Sequence, residues 1–277
     1  MNRINAMYQD FLLIRRKKII KVVTYIMIPI IVFALIMLYF ILEEPRQVYK
    51  TLFYISLGLI GTGLLNIALS FLILTDKPMY NIVINEIIKD VNMNEQRFLE
   101  YEPFIKEKEI FNLSGLYPRS ASKSTKFKLT MNTDHHSQVQ LFFTEIFTQS
   151  NNSRVVYFKG LYMVFDTLNQ DIFQIRRKGK PRHKEIKLIK EEREDKLKFY
   201  TQGKPIKETY LLLFESLENQ YGKVDIAGAK DQIHVALSNF MKISIEKEIN
   251  DSVYKKYYDM ILSLIKLTDE ISEKIAY

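Results

Sequence analysis

Residues 43–50 read EEPRQVYK, four charges in eight positions, and they separate two stretches that carry none. Residues 22–42, VVTYIMIPIIVFALIMLYFIL, form an uncharged run of 21, and residues 51–74 form a second of 24. At the helical rise these reach roughly 32 and 36 Å, against a hydrocarbon thickness of about 30 Å. Helices buried in a soluble core are usually shorter and keep a polar stripe, so two membrane spans are the expected reading. A cleaved signal peptide fits poorly, because the first run exceeds the apolar segment of such peptides and LEEPRQ lacks a small-residue cleavage site.

The charged island is then the turn of a transmembrane hairpin. Glu43, Glu44, Arg46 or Lys50 at mid-bilayer would cost about 2.5 to 3.5 kcal/mol each on insertion scales, which places them in water on the far side. Pro45 disfavours helical geometry in Glu44 and so helps end the first helix. Before the first span stand Arg3, Arg15, Arg16, Lys17, Lys18 and Lys21, whereas the connector has Arg46 and Lys50 alone. The positive-inside bias therefore puts residues 1–21 in the cytoplasm, and two crossings return residues 76–277 to the same side. A multi-pass protein of the cell membrane is expected.

Charge and cysteine count exclude several classes. Of a formal net charge of +8, the segment after residue 75 holds only +3, too little for a domain that seeks nucleic acid generally. The chain has no cysteine, which excludes disulfides, thiolate zinc sites and cysteine nucleophiles.

Within the second span Gly58, Thr62, Asn66 and Ser70 recur every fourth residue and so share one helix face. Small residues let helix backbones approach, and Asn66 offers an amide where water is absent; packing against the first span or against a second copy would use that face. Pro29 removes one backbone donor inside the first span and is expected to bend it.

Beyond the membrane, Ile82, Ile84, Ile87, Ile88 and Val91 follow helical spacing, predicting a short amphipathic helix from Pro78. The RSASKST segment, residues 119–125, reads as a loop. KFKLTM, QVQLFFTEIF, RVVYFKGLYMVFD and DIFQIRR then predict four strands in an antiparallel meander, with a bulge or bend at Gly160. Residues 204–222 predict a helix closed by Gly222, with Leu213 and Leu217 buried; DQIHVALS and KISIE resume strand character. Val253, Tyr257, Met260, Ile261, Leu264, Thr268 and Ile271 lie on one stripe of a C-terminal helix. The expected class is α+β: a two-helix membrane hairpin followed by a domain with an antiparallel sheet and an amphipathic C-terminal helix.

Three segments carry a resemblance: FNLSGLYPRS (111–120), VVYFKGLYMVFD (155–166) and KFYTQGKPIKETYLLL (198–213). In that order they resemble the conserved blocks of a bacterial family of uncharacterised membrane proteins, the domain of unknown function three-one-three-seven. The resemblance extends over residues 78–275. It implies a basic N-terminus, two adjacent spans and a cytoplasmic α+β region, and it implies no reaction.

Asp134, His135 and His136 are the most ligand-like cluster, yet neighbours on an extended chain point to opposite faces and no HxH or HExxH spacing occurs. A polar turn is the plainer reading. No GxxxxGK[ST] or GxSxG motif is present, and Gly179 in RRKGKP has basic company without a strand-loop-helix frame. Glu145, Asp166 and Asp171 define no carboxylate pair by sequence alone. No cofactor is expected.

The strongest signal outside the spans is basic: Arg176, Arg177, Lys178, Lys180, Arg182 and Lys184 open a cationic run that continues to Lys190. Beneath an anionic leaflet each such residue can gain about 1 kcal/mol, so contact with lipid headgroups or another anion is one reading and a solvated hairpin tip the other. No aromatic residues interleave, which argues against base stacking. The expected function is non-catalytic binding or scaffolding at the inner membrane face, with membrane lipid, a protein partner or a second copy as partner and without nucleic acid. The alternative is a membrane-anchored enzyme acting on a lipid or peptide.

Overall fold

A computed structural model describes residues 2–44, 46–72, 77–103, 105, 109–135, 138–150, 153–168, 171–182, 187–191, 197–238, 240 and 251–276, excluding the side chains of 66–72, 77–80 and several positions before Val23. Pro45, His136, His183, Lys184 and the KISIE segment lie outside the described residues, as do the side chains of Asn66 and Ser70. The chain forms two compact units, one built on the first two helices and one on the sheet.

In the first unit, α1 spans Asn2–Glu43 and α2 spans Gln47–Leu72. Helix α1 thus runs on through the basic N-terminus, and at about 1.5 Å per residue it extends well beyond a hydrocarbon core. From residue 23 to residue 43, only Val23, Met27, Ile30, Ala34, Met37 and Ile41 are even partly covered. Their alternating spacing of four and three is the seam of two helices packed at a shallow angle. On α2, Tyr49, Phe53, Ser56, Ile60 and Gly63 continue the same rhythm. The helices are antiparallel: the rings of Phe40 and Tyr49 stack at 5.4 Å, and a Cβ on Gly63 would stand 2.5 Å from the Met27 sulfur.

This geometry corrects one expectation. Gly58 and Thr62 are exposed, and a Cβ on Gly58 would meet nothing within 4 Å, so these two residues do not pack on α1. The close approach comes at Gly63, seven residues after Ser56, because a seam between two helices follows a 3.5-residue period and not a strict period of four.

The second unit is mixed helix and sheet. Of helix α3, Lys77–Asn94, the part from Ile84 onward belongs to this unit and buries Ile84, Ile87, Ile88 and Val91. After it come β1 (Leu99–Pro103), the short α4 (Glu109–Leu113), β2 (Ser122–Met131), β3 (Val139–Ser150), β4 (Ser153–Asp166), β5 (Phe173–Arg176), β6 (Ile189–Glu191) and β7 (Lys198–Thr201). Helix α5 (Glu208–Tyr221), β8 (Val224–Ala229), β9 (Gln232–Ser238) and α6 (Asp251–Ala276) complete it. The described strands make one nine-stranded antiparallel sheet in the order β1-β2-β3-β4-β9-β8-β5-β7-β6.

Only β1 to β4 form a meander. DIFQIRR does not pair with RVVYFKGLYMVFD, because β9 and β8 insert between β4 and β5. The SKST part of the expected loop is strand, held to β3 from Ser122↔Phe147 onward. Gly160 carries no bulge: it faces Ser238 where β9 joins β4, and a Cβ there would stand 2.1 Å from the Leu237 carbonyl oxygen. The close backbone approach excludes a side chain, which is another reason for glycine in a strand. The register break in β4 falls instead at Tyr157, since Ile146 pairs with Phe158 and Phe147 with Val156.

Strand parity sorts the core into two layers. Leu161, Met163, Val235, Leu237, Ile226, Ile175 and Phe173 share one face, where Phe173 stacks on Tyr210 of α5 at 4.7 Å. Helix α6 places its predicted stripe inside, and Lys274 reaches Ser216 of α5 at 3.1 Å. Each such buried apolar side chain contributes about 1.5–3 kcal/mol relative to exposure. Phe142, Tyr162, Val164, Ala236 and Ala227 take the opposite face, under a lid formed by Phe111, Leu116, Tyr117 and Ala121. Gly222, at φ 83, ends α5 as expected, its N–H donating to the Glu218 carbonyl.

Candidate functional site

The lidded face carries polar residues as well as apolar ones. By strand alternation Gln174 and Arg176 of β5, Asp225 of β8, His234 of β9 and Tyr162 of β4 all point under the 111–121 segment. Gln174 donates its amide to the Ser114 carbonyl at 2.8 Å, and the Tyr162 hydroxyl meets His234 Nδ1 at 3.1 Å. Tyr117 packs its ring on Phe158 at 5.4 Å and sends its hydroxyl to Asp225, 3.5 Å away.

Where the lid ends, the layer opens into a cleft of about 440 Å³. Its walls supply Arg176, Arg177, Lys178, Lys180, Arg182 and Lys223, and among the described residues the one carboxylate lining it is Asp225. Val156 and Tyr157 form an apolar side. In a regular strand these neighbours would face opposite ways; the register break at Tyr157 lets both line the same opening.

The basic loop at the mouth is tied down. Arg176 Nη1 donates to the Lys180 carbonyl at 2.9 Å and Nη2 to the Leu116 carbonyl at 2.8 Å, so one buried guanidinium holds the loop to the lid. The Arg182 N–H donates to the Gly115 carbonyl at 2.9 Å, and the Tyr200 hydroxyl to the Gly179 carbonyl at 3.1 Å. Gly179 makes the turn at φ 93, a conformation that favours glycine. Arg177 pairs with Glu218 of α5. Arg176, expected among surface cations, is therefore inside: it is 7% exposed, because β5 parity turns it under the lid. Arg177, Lys178, Lys180 and Arg182 are exposed.

Asp225 is 7% exposed, and burial pushes its carboxyl up to about 6, against the opposing pull of Arg176, Lys223, the Tyr117 hydroxyl and the Arg177 backbone N–H. Burial, with the Asp225 charge next, raises Tyr117 well above the ordinary phenol range. The floor thus offers an acceptor and a neutral phenol beneath a cationic rim.

Asp134 and His135 lie elsewhere. Both are exposed and stand near the bidentate pair of Arg97 and Asp269, whose two bonds measure 3.0 and 2.8 Å. Among the described residues no group of three His, Cys, Asp or Glu side chains could hold a metal ion. Glu145 pairs with Arg154 at 3.0 Å, Asp166 accepts from Gln232 at 3.0 Å, and Asp171 lies 3.8 Å from both Lys204 and Lys207. The three carboxylates do not converge.

Sequence reading missed Tyr117, Lys223 and Asp225 as site residues. The available signal was Asp225 inside the otherwise apolar VDIAGA, a polar position in a strand buried throughout. Two segments quoted for the family resemblance, FNLSGLYPRS and VVYFKGLYMVFD, supply the lid and the apolar wall. No protein-family model, no curated protein and no solved structure matches the chain, so that resemblance rests on the quoted residues.

Proposed function

We propose that the protein is a membrane-anchored binding protein: α1 and α2 cross the bilayer as a hairpin, the basic N-terminus and the α+β unit lie in the cytoplasm, and the unit binds an anionic partner at the cleft without catalysing a reaction. The observation that carries this reading is the exposure of apolar surface in the first unit. Two helices are long and apolar enough to cross a membrane, and only 17% of the apolar stretch of the first and 6% of that of the second is buried. A core helix would have those side chains covered, whereas lipid accepts them without a protein partner. The excess of Arg and Lys before the first span orients the hairpin.

Membership of the family resembled is part of the same proposal and contributes architecture alone. A second copy or another protein could share the anchor through the exposed Gly58 and Thr62 face. The topology is tested with a tag fused after Tyr277: protease added to intact cells leaves it whole and removes it after the membrane is permeabilised. Removal from intact cells would overturn the reading.

One observation favours a second reading, a membrane-anchored enzyme on a lipid or peptide. A buried carboxyl near 6 beside a phenol, in a cleft, is poised for general acid or base work. Asp225→Asn that keeps ligand binding and loses turnover would favour it.

A further inference from the structure

The cleft joins three features that single out a ligand chemistry. Its rim is cationic and fixed in place, since the loop bearing Lys178, Lys180 and Arg182 is bonded at the Gly179, Lys180 and Arg182 backbone to the sheet and lid. A solvated hairpin tip would need no such anchoring. Its floor holds a carboxylate, Asp225, which repels an anion and accepts from a hydroxyl. Its volume of about 440 Å³ falls in the roughly 300–1,000 Å³ range of small-molecule sites. In addition Arg176, more than nine-tenths buried, lines the cleft with its Nε lacking a hydrogen-bond partner among the described residues, although both terminal nitrogens are engaged.

A bare inorganic anion suits the rim and conflicts with the floor. A neutral polyol suits the floor and leaves the cations without a partner. We propose that the cleft binds a phosphate ester of a polyol, with the phosphate on Lys178, Lys180 and Arg182 and a ligand hydroxyl donating to Asp225. The proposal deepens the binding reading above and rests on it. Charge-assisted contacts at the rim supply attraction, and Asp225 supplies selection for an ester over free phosphate. The Val156 and Tyr157 wall accepts the carbon skeleton. Such an ester could be a soluble polyol phosphate or the headgroup of a glycerol-bearing phospholipid.

The full chain in nanodiscs of phosphatidylcholine is titrated calorimetrically with glycerol 1-phosphate, inorganic phosphate and sulfate at matched ionic strength. Saturable binding is expected for glycerol 1-phosphate, at least tenfold tighter than for either inorganic ion. Lys178→Glu with Lys180→Glu should weaken it tenfold or more with unchanged circular dichroism, since both side chains are exposed. Asp225→Asn should bring glycerol 1-phosphate and inorganic phosphate within about threefold of each other. Repetition in phosphatidylglycerol nanodiscs distinguishes the sources: loss of the titration assigns the site to a headgroup, and an unchanged titration assigns it to a soluble ester. Equal affinity for ester and inorganic ions, or no change in the double variant, would overturn the proposal. Because the titration does not depend on which side the unit occupies, its failure and a failure of the topology test are separate results.

Discussion

Tyr117 and Asp225, 108 positions apart in the chain, meet hydroxyl to carboxylate at 3.5 Å on the floor of the basic cleft. The contact joins the lid to the centre of the sheet. It also leaves a carboxylate where burial disfavours its charge, and that has a measurable consequence.

The Asp225 carboxyl moves from an ordinary 3.8 to about 6 in the fold. Between those values the native state holds a proton that the unfolded chain has released, so stability falls as pH rises from about 4 to 6 and then levels off. The full penalty is about 3 kcal/mol at the conversion of 1.36 kcal/mol per pKa unit, as an order of magnitude. Asp225→Asn should remove this slope. Denaturation of both proteins in non-ionic detergent between pH 4.5 and 7.5 measures it, and parallel profiles would contradict the assignment.

Arg176 is predicted to be structural. Arg176→Met leaves the Leu116 and Lys180 carbonyls without their donor and should cost about 2–3 kcal/mol. Arg176→Lys should recover little, since one ammonium cannot reproduce the planar fork that spans two carbonyls. Melting temperature reports the loss, and faster proteolysis within residues 177–182 locates it.

Gly160→Ala pushes a Cβ against the Leu237 carbonyl and should cost about 3 kcal/mol or more, by separating β4 from β9. Gly58→Ala meets open space and should stay within about 0.5 kcal/mol. Thermal unfolding of the two variants side by side gives the comparison.

The hairpin seam makes a further prediction. A Cβ at residue 63 stands 2.5 Å from the Met27 sulfur, so Gly63→Leu must displace Met27 from the seam, whereas a Cβ at residue 58 meets nothing within 4 Å. Phe40→Cys with Tyr49→Cys should crosslink efficiently through a short bismaleimide, on a background with no native cysteine. Gly63→Leu should reduce the yield severalfold, and Gly58→Leu should leave it unchanged.

Much of the element content was legible locally. The stripe from Val253 to Ile271 and the cap at Gly222 are periodic or stereochemical signals that a helix displays in its own residues. Short strands were not: VDIAGA and KFYT carry too few residues to show alternation, and both are buried on two faces. Strand order was equally hidden, since the insertion of β9 and β8 beside β4 depends on pairing across some 70 residues.

The amino-acid sequence by itself determined that two apolar helices precede a mixed α+β unit, because uncharged length and helical periodicity are properties of contiguous residues. Only the tertiary structure decided which cations line the cleft. The run from Arg176 to Arg182 reads as uniform charge; folding turns Arg176 inward as a clamp, leaves its neighbours on the rim, and brings Asp225 beneath them. Strand parity and long-range pairing set those directions, and neither is encoded in the spacing of the basic residues themselves.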